Sequence, residues 1–120
     1  MEQAVRDWVN KALKETVRGK LNEHIHIGPL TAYVRWTKRP DPTSREMLLM
    51  MEIGSVEVEE DKRGQGIFTE FLTIWQKIAD EQQRQVMVEC VHNTALQDML
   101  TRRGYIQIED NWWRPHILKD

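Results

Sequence analysis

The sequence of 120 residues contains one cysteine, four prolines and no long hydrophobic run. Cys90, being alone, cannot form an internal disulfide, and the longest apolar run begins at Met47 and ends at Met51, far short of a membrane span. Seventeen Lys and Arg against nineteen Asp and Glu give a formal net charge of −2, which disfavours a general nucleic-acid-binding surface. We therefore expect a single cytoplasmic domain of residues 1–120, with no membrane partner and no nucleic-acid partner.

Hydrophobic periodicity predicts a mixed order of helices and strands. Apolar residues at helical spacing indicate an amphipathic N-terminal helix from Val5 to Val17, and a second helix that starts near Gly66 and runs to about Gln82. Asn93 can cap a third helix, which Gly104 would end. Strands are expected at 24–27, 31–37, 47–58, 86–91, 105–108 and 112–118. The expected fold class is therefore α/β, with a mixed sheet flanked by helices.

A glycine-bearing loop stands where the strand ending at Val58 leads into the second helix. Free backbone N–H groups and the positive end of a helix dipole converge at such a point, so the loop predicts an anion site. A side chain at Gly64 or Gly66 would push a phosphate away from the amides, while Arg63 adds a permanent charge. The spacing fits neither a P-loop nor a dinucleotide fingerprint. An ordinary tight turn before a helix is the alternative interpretation.

The segment from Met47 to Gly104 resembles the GNAT superfamily, the acetyl-coenzyme A (acetyl-CoA) dependent N-acetyltransferases. Its loop is similar to the family's Gln/Arg-x-x-Gly-x-Gly/Ala pyrophosphate motif, with Arg63 first and Gly66 fourth, although Phe68 stands where Gly or Ala is usual. The strand, the Asn and the closing Gly-aromatic pair between residues 86 and 105 resemble the family's second conserved block.

The resemblance implies a sheet that splays between the strand ending at Val58 and the next strand, with the pantetheine arm of coenzyme A in the gap. Main-chain groups of the first strand would pair with the arm, and the amides of the loop would hold the diphosphate. Asn93 would contact the pantetheine or the thioester end, although a plain helix N-cap is the alternative. A bulky Phe68 could narrow the pocket. The implied cofactor-binding residues are Val56, Val58, Arg63, Gly64, Gln65, Gly66, Ile67, Phe68 and Asn93.

Acyl transfer to an amine needs a group that accepts the amine's proton, because only the neutral amine attacks a thioester. Glu52 lies six residues before Val58, so in a strand without a bulge it shares a face with Val56 and Val58. Glu52 is therefore the first candidate for the catalytic base. The alternative is a carboxylate paired with Arg35 or Lys38 on the neighbouring strand.

The general acid expected from the family resemblance is absent from its usual position. Family members often place a Tyr four residues before the glycine, where it protonates the departing thiolate, and this chain has Leu100 there. Leu100 at helical spacing is equally explained as a core residue. Tyr105 is the nearest alternative donor in sequence, and we expect it to face the core.

Several further residues are conspicuous without defining a site. His24 and His26 share a strand face, but no third ligand is evident, so no metal is expected. Cys90 on a buried strand is expected to be a core residue. Trp112 and Trp113 point to opposite faces of a strand, so we expect at least one to be exposed on an acceptor or partner surface.

The leading interpretation is an N-acetyltransferase that moves an acetyl group from acetyl-CoA to a primary amine of a small molecule or protein. The alternative is a non-catalytic or weakly catalytic module of the same fold that binds coenzyme A or a protein partner. A homodimer is left open. A nucleic-acid-binding function based on Arg35, Lys38, Arg39 and Arg45 is disfavoured by the acidic charge balance.

Overall fold

The computed structural model describes residues 1–15, 21–89 and 93–115. The predicted order of helices and strands is confirmed there, and the short strand expected at 24–27 is longer. Three predicted elements extend outside the described residues. These parts are residues 16–17 of the first helix, 90–91 of the strand at 86–91 and 116–118 of the last strand. The elements are α1 (Glu2–Glu15), β1 (Leu21–Ile27), β2 (Leu30–Pro40), β3 (Met47–Val58), a 3-10 turn (Glu60–Lys62), α2 (Ile67–Glu81), β4 (Gln85–Glu89), α3 (Thr94–Arg102), β5 (Ile106–Ile108) and β6 (Asn111–Trp113).

The six strands form one mixed sheet in the order β1-β2-β3-β4-β6-β5. Strands β3 and β4 are parallel, and the other neighbouring strands are antiparallel. The described β3–β4 pairs run from Met50 opposite Gln85 to Ile53 opposite Val88, whereas β3 continues to Val58. Within the described residues their pairing ends at Ile53 and Val88, and the expected α/β fold with a mixed sheet flanked by helices is confirmed.

The main core lies between one face of the sheet and all three helices. Helix α1 buries Val5, Trp8 and two further residues at helical spacing, which gives it the single apolar stripe of an amphipathic helix. The Trp8 ring stacks on Trp75 of α2 at 5.5 Å and meets Trp36 of β2 edge-on at 6.2 Å. These three tryptophans join the N-terminal helix to the sheet and to α2. None of the described helices is long and apolar enough to span a membrane.

The opposite face of the sheet carries a smaller apolar cluster to which no described helix contributes. Its buried members are Met50, Met87 and Trp113, whereas Trp112 belongs to the main core. The two tryptophans therefore do point to opposite faces. The expectation that one of them is exposed is wrong, because each packs into a cluster and only 6% of Trp112 and 8% of Trp113 is accessible.

Strand β3 contains a β-bulge at Gly54. Tyr33 of β2 pairs with Ser55 and Val34 pairs with Ile53, so the intervening Gly54 has no partner on β2. A Cβ atom at Gly54 would lie 2.8 Å from Cδ2 of Tyr33, so the tyrosine ring occupies the space that a side chain would need. Glycine is therefore required at the bulge by close packing.

The bulge changes which side chains of β3 share a face, because one inserted residue reverses the alternation beyond it. Val56 and Val58 pack against the same core as Ile53, whereas Glu52 lies on the opposite face with its partners on β2. The prediction that Glu52 shares a face with Val56 and Val58 is therefore wrong.

Candidate functional site

A cavity of about 570 Å³ opens beside the second half of β3. Its walls are the second half of β3, the loop before α2, the first turn of α2 and one side of α3. Of the residues predicted to bind the cofactor, all except Gln65 line it: Val56, Val58, Arg63, Gly64, Gly66, Ile67, Phe68 and Asn93. The fold thus brings residues from two distant segments of the sequence to one cavity.

Other lining residues were not singled out as site residues from the sequence. They are Glu57, Lys62, Thr69, Ala95, Leu96, Met99 and Arg102. The sequence does contain a signal for three of these lining residues. Leu96, Met99 and Arg102 follow Asn93 at intervals of three, so they share one side of α3 with it.

The loop before α2 has a backbone that requires glycine. Gly64 and Gly66 have φ values of 81° and 76°, in the left-handed region that side chains disfavour. A Cβ atom at either position would meet no atom of the described residues within 4 Å. The two glycines are therefore required by backbone conformation, and the space beside them is open to a ligand.

The loop and the first turn of α2 present a row of unpaired amides. Within the described chain, no backbone N–H of residues 64–69 donates a hydrogen bond, and the first to do so is that of Glu70, to the carbonyl of Gly66 at 2.9 Å. Consecutive free amides at the positive end of a helix dipole attract anions. The arrangement fits the diphosphate of a nucleotide cofactor.

Arg63 and Phe68 flank these amides in different ways. The Nε of Arg63 donates to the carbonyl oxygen of Val58 at 2.9 Å, which fixes the guanidinium beside the end of β3. The Phe68 ring is 6% exposed and packs 6.5 Å from the ring of Phe71. Phe68 therefore lines the cavity from the core side, and its size is accommodated by the interior.

Asn93 acts as the N-cap of α3. Its Oδ1 accepts a hydrogen bond from the backbone N–H of Leu96 at 3.1 Å, so the capping interpretation is confirmed. Its Nδ2 donates to no other described residue. Because a cap uses the oxygen alone, the amide nitrogen stays available to a ligand in the cavity.

Glu52 lies outside the lining of this cavity, fully buried in a network of hydrogen bonds. Its Oε1 accepts from Arg35 Nε at 2.8 Å and Arg39 Nη2 at 3.0 Å. Its Oε2 accepts from Arg39 Nε at 2.7 Å and Thr37 Oγ1 at 2.9 Å. The pairing expected with Arg35 is confirmed. Of the two partners considered it is thus Arg35 and not Lys38 that pairs with Glu52, and Arg39 provides a second cation.

The environment of Glu52 favours its ionised form. Burial alone would raise the pKa of this carboxyl. The hydrogen bonds and positive charge of Arg39, the hydrogen bond of Thr37 and the charge of Arg35 outweigh the effect of burial and hold the pKa below its ordinary value. A carboxylate whose two oxygens are already engaged is a weak proton acceptor.

Arg35 joins three strands beside the bulge. In addition to Glu52 of β3, its guanidinium contacts Glu89 of β4, with Nη1 3.2 Å from Oε1. Its Cζ lies 5.7 Å from the centre of the Tyr33 ring, which covers Gly54. The ion-pair network therefore links β4 to β2 and β3 beside the last described pair of β3 and β4, Ile53 opposite Val88.

The two residues considered for the general acid lie in the core. Leu100 is completely buried, which agrees with a packing role. The Tyr105 hydroxyl donates to Oε1 of Gln76 at 2.6 Å, and burial raises the pKa of Tyr105 above its ordinary value. The expectation that Tyr105 faces the core is confirmed, and neither residue lines the cavity.

The histidines of β1 make contacts within the sheet. The His24 ring lies 4.8 Å from the ring of Tyr33, and His26 Nδ1 is hydrogen-bonded to Thr31 Oγ1 at 3.0 Å. In the described part of the chain, no group of three His, Cys, Asp or Glu side chains is arranged to hold a metal ion.

Comparison with known proteins identifies a shared fold. No family model and no curated protein matches this chain. Among solved structures it is similar to that of a "putative acetyltransferase" from Agrobacterium tumefaciens, with a TM-score of 0.56 and 19% sequence identity. The match covers 93% of this chain and 87% of that chain. The fold is thus acetyltransferase-like, and the reaction has to be argued from the site.

Proposed function

We propose that this chain is a GNAT-type N-acetyltransferase that binds acetyl-CoA in the cavity between β3 and α3 and acetylates a primary amine of a small molecule or protein. The observation that carries the proposal is the row of unpaired amides at residues 64–69, which borders a cavity between the end of β3 and α3. The amides suit the diphosphate of the ligand. The cavity between the end of β3 and α3 suits the extended pantetheine arm of the ligand.

In this proposal, acetyl-CoA supplies an acetyl thioester to the acceptor. The amine nitrogen forms a bond to the thioester carbon, the carbon–sulfur bond breaks, and the amine loses a proton. Glu57 is the one acidic residue among the described residues that line the cavity, but it alternates with Val56 and Val58 and its side chain points to the other face of β3, so we assign the proton to water in the cavity. Glu52 lies outside this lining, on the other face of β3 from Val56 and Val58, with both its oxygens engaged.

Substitution of Gly66 tests the ligand site. We expect Gly66→Glu to abolish the rise in melting temperature that acetyl-CoA causes, because a carboxylate would stand beside the amides that hold the diphosphate. Gly66→Gln is the matched control, since it imposes the same left-handed backbone strain without the charge. We expect the glutamine variant to retain a measurable part of the shift.

Two outcomes would contradict the proposed ligand site. One is a wild-type protein whose melting temperature does not respond to acetyl-CoA. The other is a Gly66→Glu variant with an undiminished shift. Gly104→Gln provides a control for backbone strain at a glycine of similar φ, and because it introduces no charge it should lower the melting temperature without altering the response to the ligand.

A second candidate function is a coenzyme A-binding module with little or no catalysis. Leu100 and Tyr105 favour it, because neither offers a proton to a departing thiolate at the cavity. A thiolate with a pKa of about 8.5 is nevertheless a tolerable leaving group near pH 7, so we expect slow transfer rather than none. Mass-resolved acetylation of polyamines and lysine peptides separates the two functions, since binding without any mass increase supports the module.

A further inference from the structure

The described lining of the cavity carries positive side chains in addition to the free amides. Its lining contains Lys62, Arg63 and Arg102 against the single carboxylate of Glu57, in a chain whose net charge is −2. The backbone amides already provide donors for a diphosphate, and the Nε of Arg63 is bound to a backbone carbonyl. The side chains of Lys62 and Arg102 are thus available to another anionic group.

Arg102 differs sharply from the arginine that follows it. The Nη2 of Arg103 donates to Thr73 Oγ1 at 2.8 Å and to the Thr69 carbonyl at 3.4 Å, so this side chain fastens α3 to α2. Arg102 lines the cavity and makes no hydrogen bond or ion pair with any described residue. Both arginines lie at the negative end of the α3 dipole, so the dipole alone does not explain their different placement.

The position of Arg102 along α3 indicates which part of the ligand it can reach. Asn93 and Arg102 stand at opposite ends of this nine-residue helix, roughly 13 Å apart along the axis. The Arg103 contact to Thr69 places the Arg102 end beside the first turn of α2, next to the free amides. A ligand with its pantetheine arm near Asn93 and its diphosphate on the amides therefore has its nucleoside end nearest Arg102.

Coenzyme A carries a third phosphate at that end, on the 3′ oxygen of its adenosine. We propose that Arg102 binds this 3′-phosphate and so makes the site selective for coenzyme A over ligands that lack it. The inference rests on the proposed function. A guanidinium is suited to the task because its planar donors can bind two phosphate oxygens at once, and Lys62 on the facing turn adds a second charge.

Calorimetric titration with coenzyme A and with 3′-dephospho-coenzyme A tests the inference. We expect the wild-type protein to bind coenzyme A roughly tenfold more tightly, the usual effect of one charge-assisted contact at a solvent-facing site. Arg102→Gln should weaken coenzyme A binding by a similar factor and leave the dephospho ligand unchanged. Arg103→Gln is the matched control, in which the ratio of the two affinities should persist.

The possible outcomes distinguish this inference from the proposed function. If the two ligands bind the wild-type protein equally, or if Arg102→Gln weakens both by the same factor, the assignment of Arg102 is wrong while the coenzyme A site stands. If neither ligand binds, the proposed function fails and the assignment fails with it. Melting curves of the free variants show whether either substitution acts through stability.

Discussion

Glu52 shows how the surroundings of a residue set its role. The sequence offers a carboxylate on the strand before an anion-binding loop, which suggests a base. In the structure it is a countercharge for two guanidiniums, one of which also contacts Glu89 on the next strand. Buried charges are stable only when they are paired, so the stability of this part of the sheet depends on Glu52 remaining ionised.

Replacing Glu52 by glutamine should lower the free energy of unfolding at pH 7 by about 3 kcal/mol, because it leaves Arg35 and Arg39 without their shared countercharge. Urea denaturation measures the effect. Glu59→Gln is the control, since Glu59 is exposed and its side chain has no described partner. A loss below about 1 kcal/mol for Glu52→Gln would show that the network contributes little.

The wild-type protein and the Glu52→Gln variant should differ in their response to acid. The pKa of Glu52 is lowered in the folded state, so the stability it contributes is fully present above its unfolded pKa of about 4.3. That contribution is lost as the pH falls through the lower folded-state pKa. The difference in unfolding free energy between wild type and Glu52→Gln should therefore be constant from pH 6 to 7 and narrow below about pH 4. A difference that widens in acid would contradict the assignment.

Among the elements, β3 depends most on a single residue for its shape. Gly54→Ala should lower stability by about 2 kcal/mol, because the new methyl group would lie 2.8 Å from the Tyr33 ring. In a protein that already carries Tyr33→Ser, and so lacks the ring, the further change Gly54→Ala should lower stability much less. Denaturation of the four proteins as a double-mutant cycle measures the coupling. Additive losses would contradict a clash between these two residues.

Elements with complete local signals were predictable from the sequence. Helix α3 has an Asn cap, an apolar stripe and a C-terminal glycine in the left-handed conformation, and each signal agrees with the structure. Helix α2 likewise begins at Ile67 after a glycine and ends at Glu81, within a residue of its predicted limits. Because these signals act within a few residues, no knowledge of the rest of the chain was needed.

Features that depend on pairing between strands were less predictable. A glycine within the strand 47–58 is a known mark of a bulge, but the bulge at Gly54 depends on the position of Tyr33 across the sheet. The missed bulge led directly to the wrong face for Glu52. The burial of Trp113 depends on Met50 and Met87, which belong to two other strands. The lining of the cavity was predicted better, since the family resemblance supplied the long-range arrangement that local patterns lack.

For the molecule as a whole, the N-terminal helix is bound to the remainder by both packing and charge. Trp8 stacks on Trp75, and Arg6 of α1 pairs with Glu81 of α2 at 2.8 Å. Exposed ion pairs contribute little individually, so the shared aromatic core is the stronger link.

We therefore propose that the chain unfolds as one cooperative domain. Tryptophan fluorescence, which reports on the aromatic core, and far-ultraviolet circular dichroism, which reports on helices and strands, should give the same midpoint in urea. Trp8→Ala should shift both midpoints together, because α1 and the sheet lose a shared contact. Two separate transitions in the wild-type protein would contradict a single domain.

Under the proposed function, the cavity beside β3 also affects how long the protein survives in a cell. A coenzyme A bound there would stabilise the fold, because a ligand that binds the folded state alone adds about 2.7 kcal/mol of stability at one hundred times its dissociation constant. Since proteases act on transiently opened chains, the degradation rate would fall as the ligand becomes abundant. The amount of this protein would then follow the supply of acyl donor, independently of any change in its synthesis.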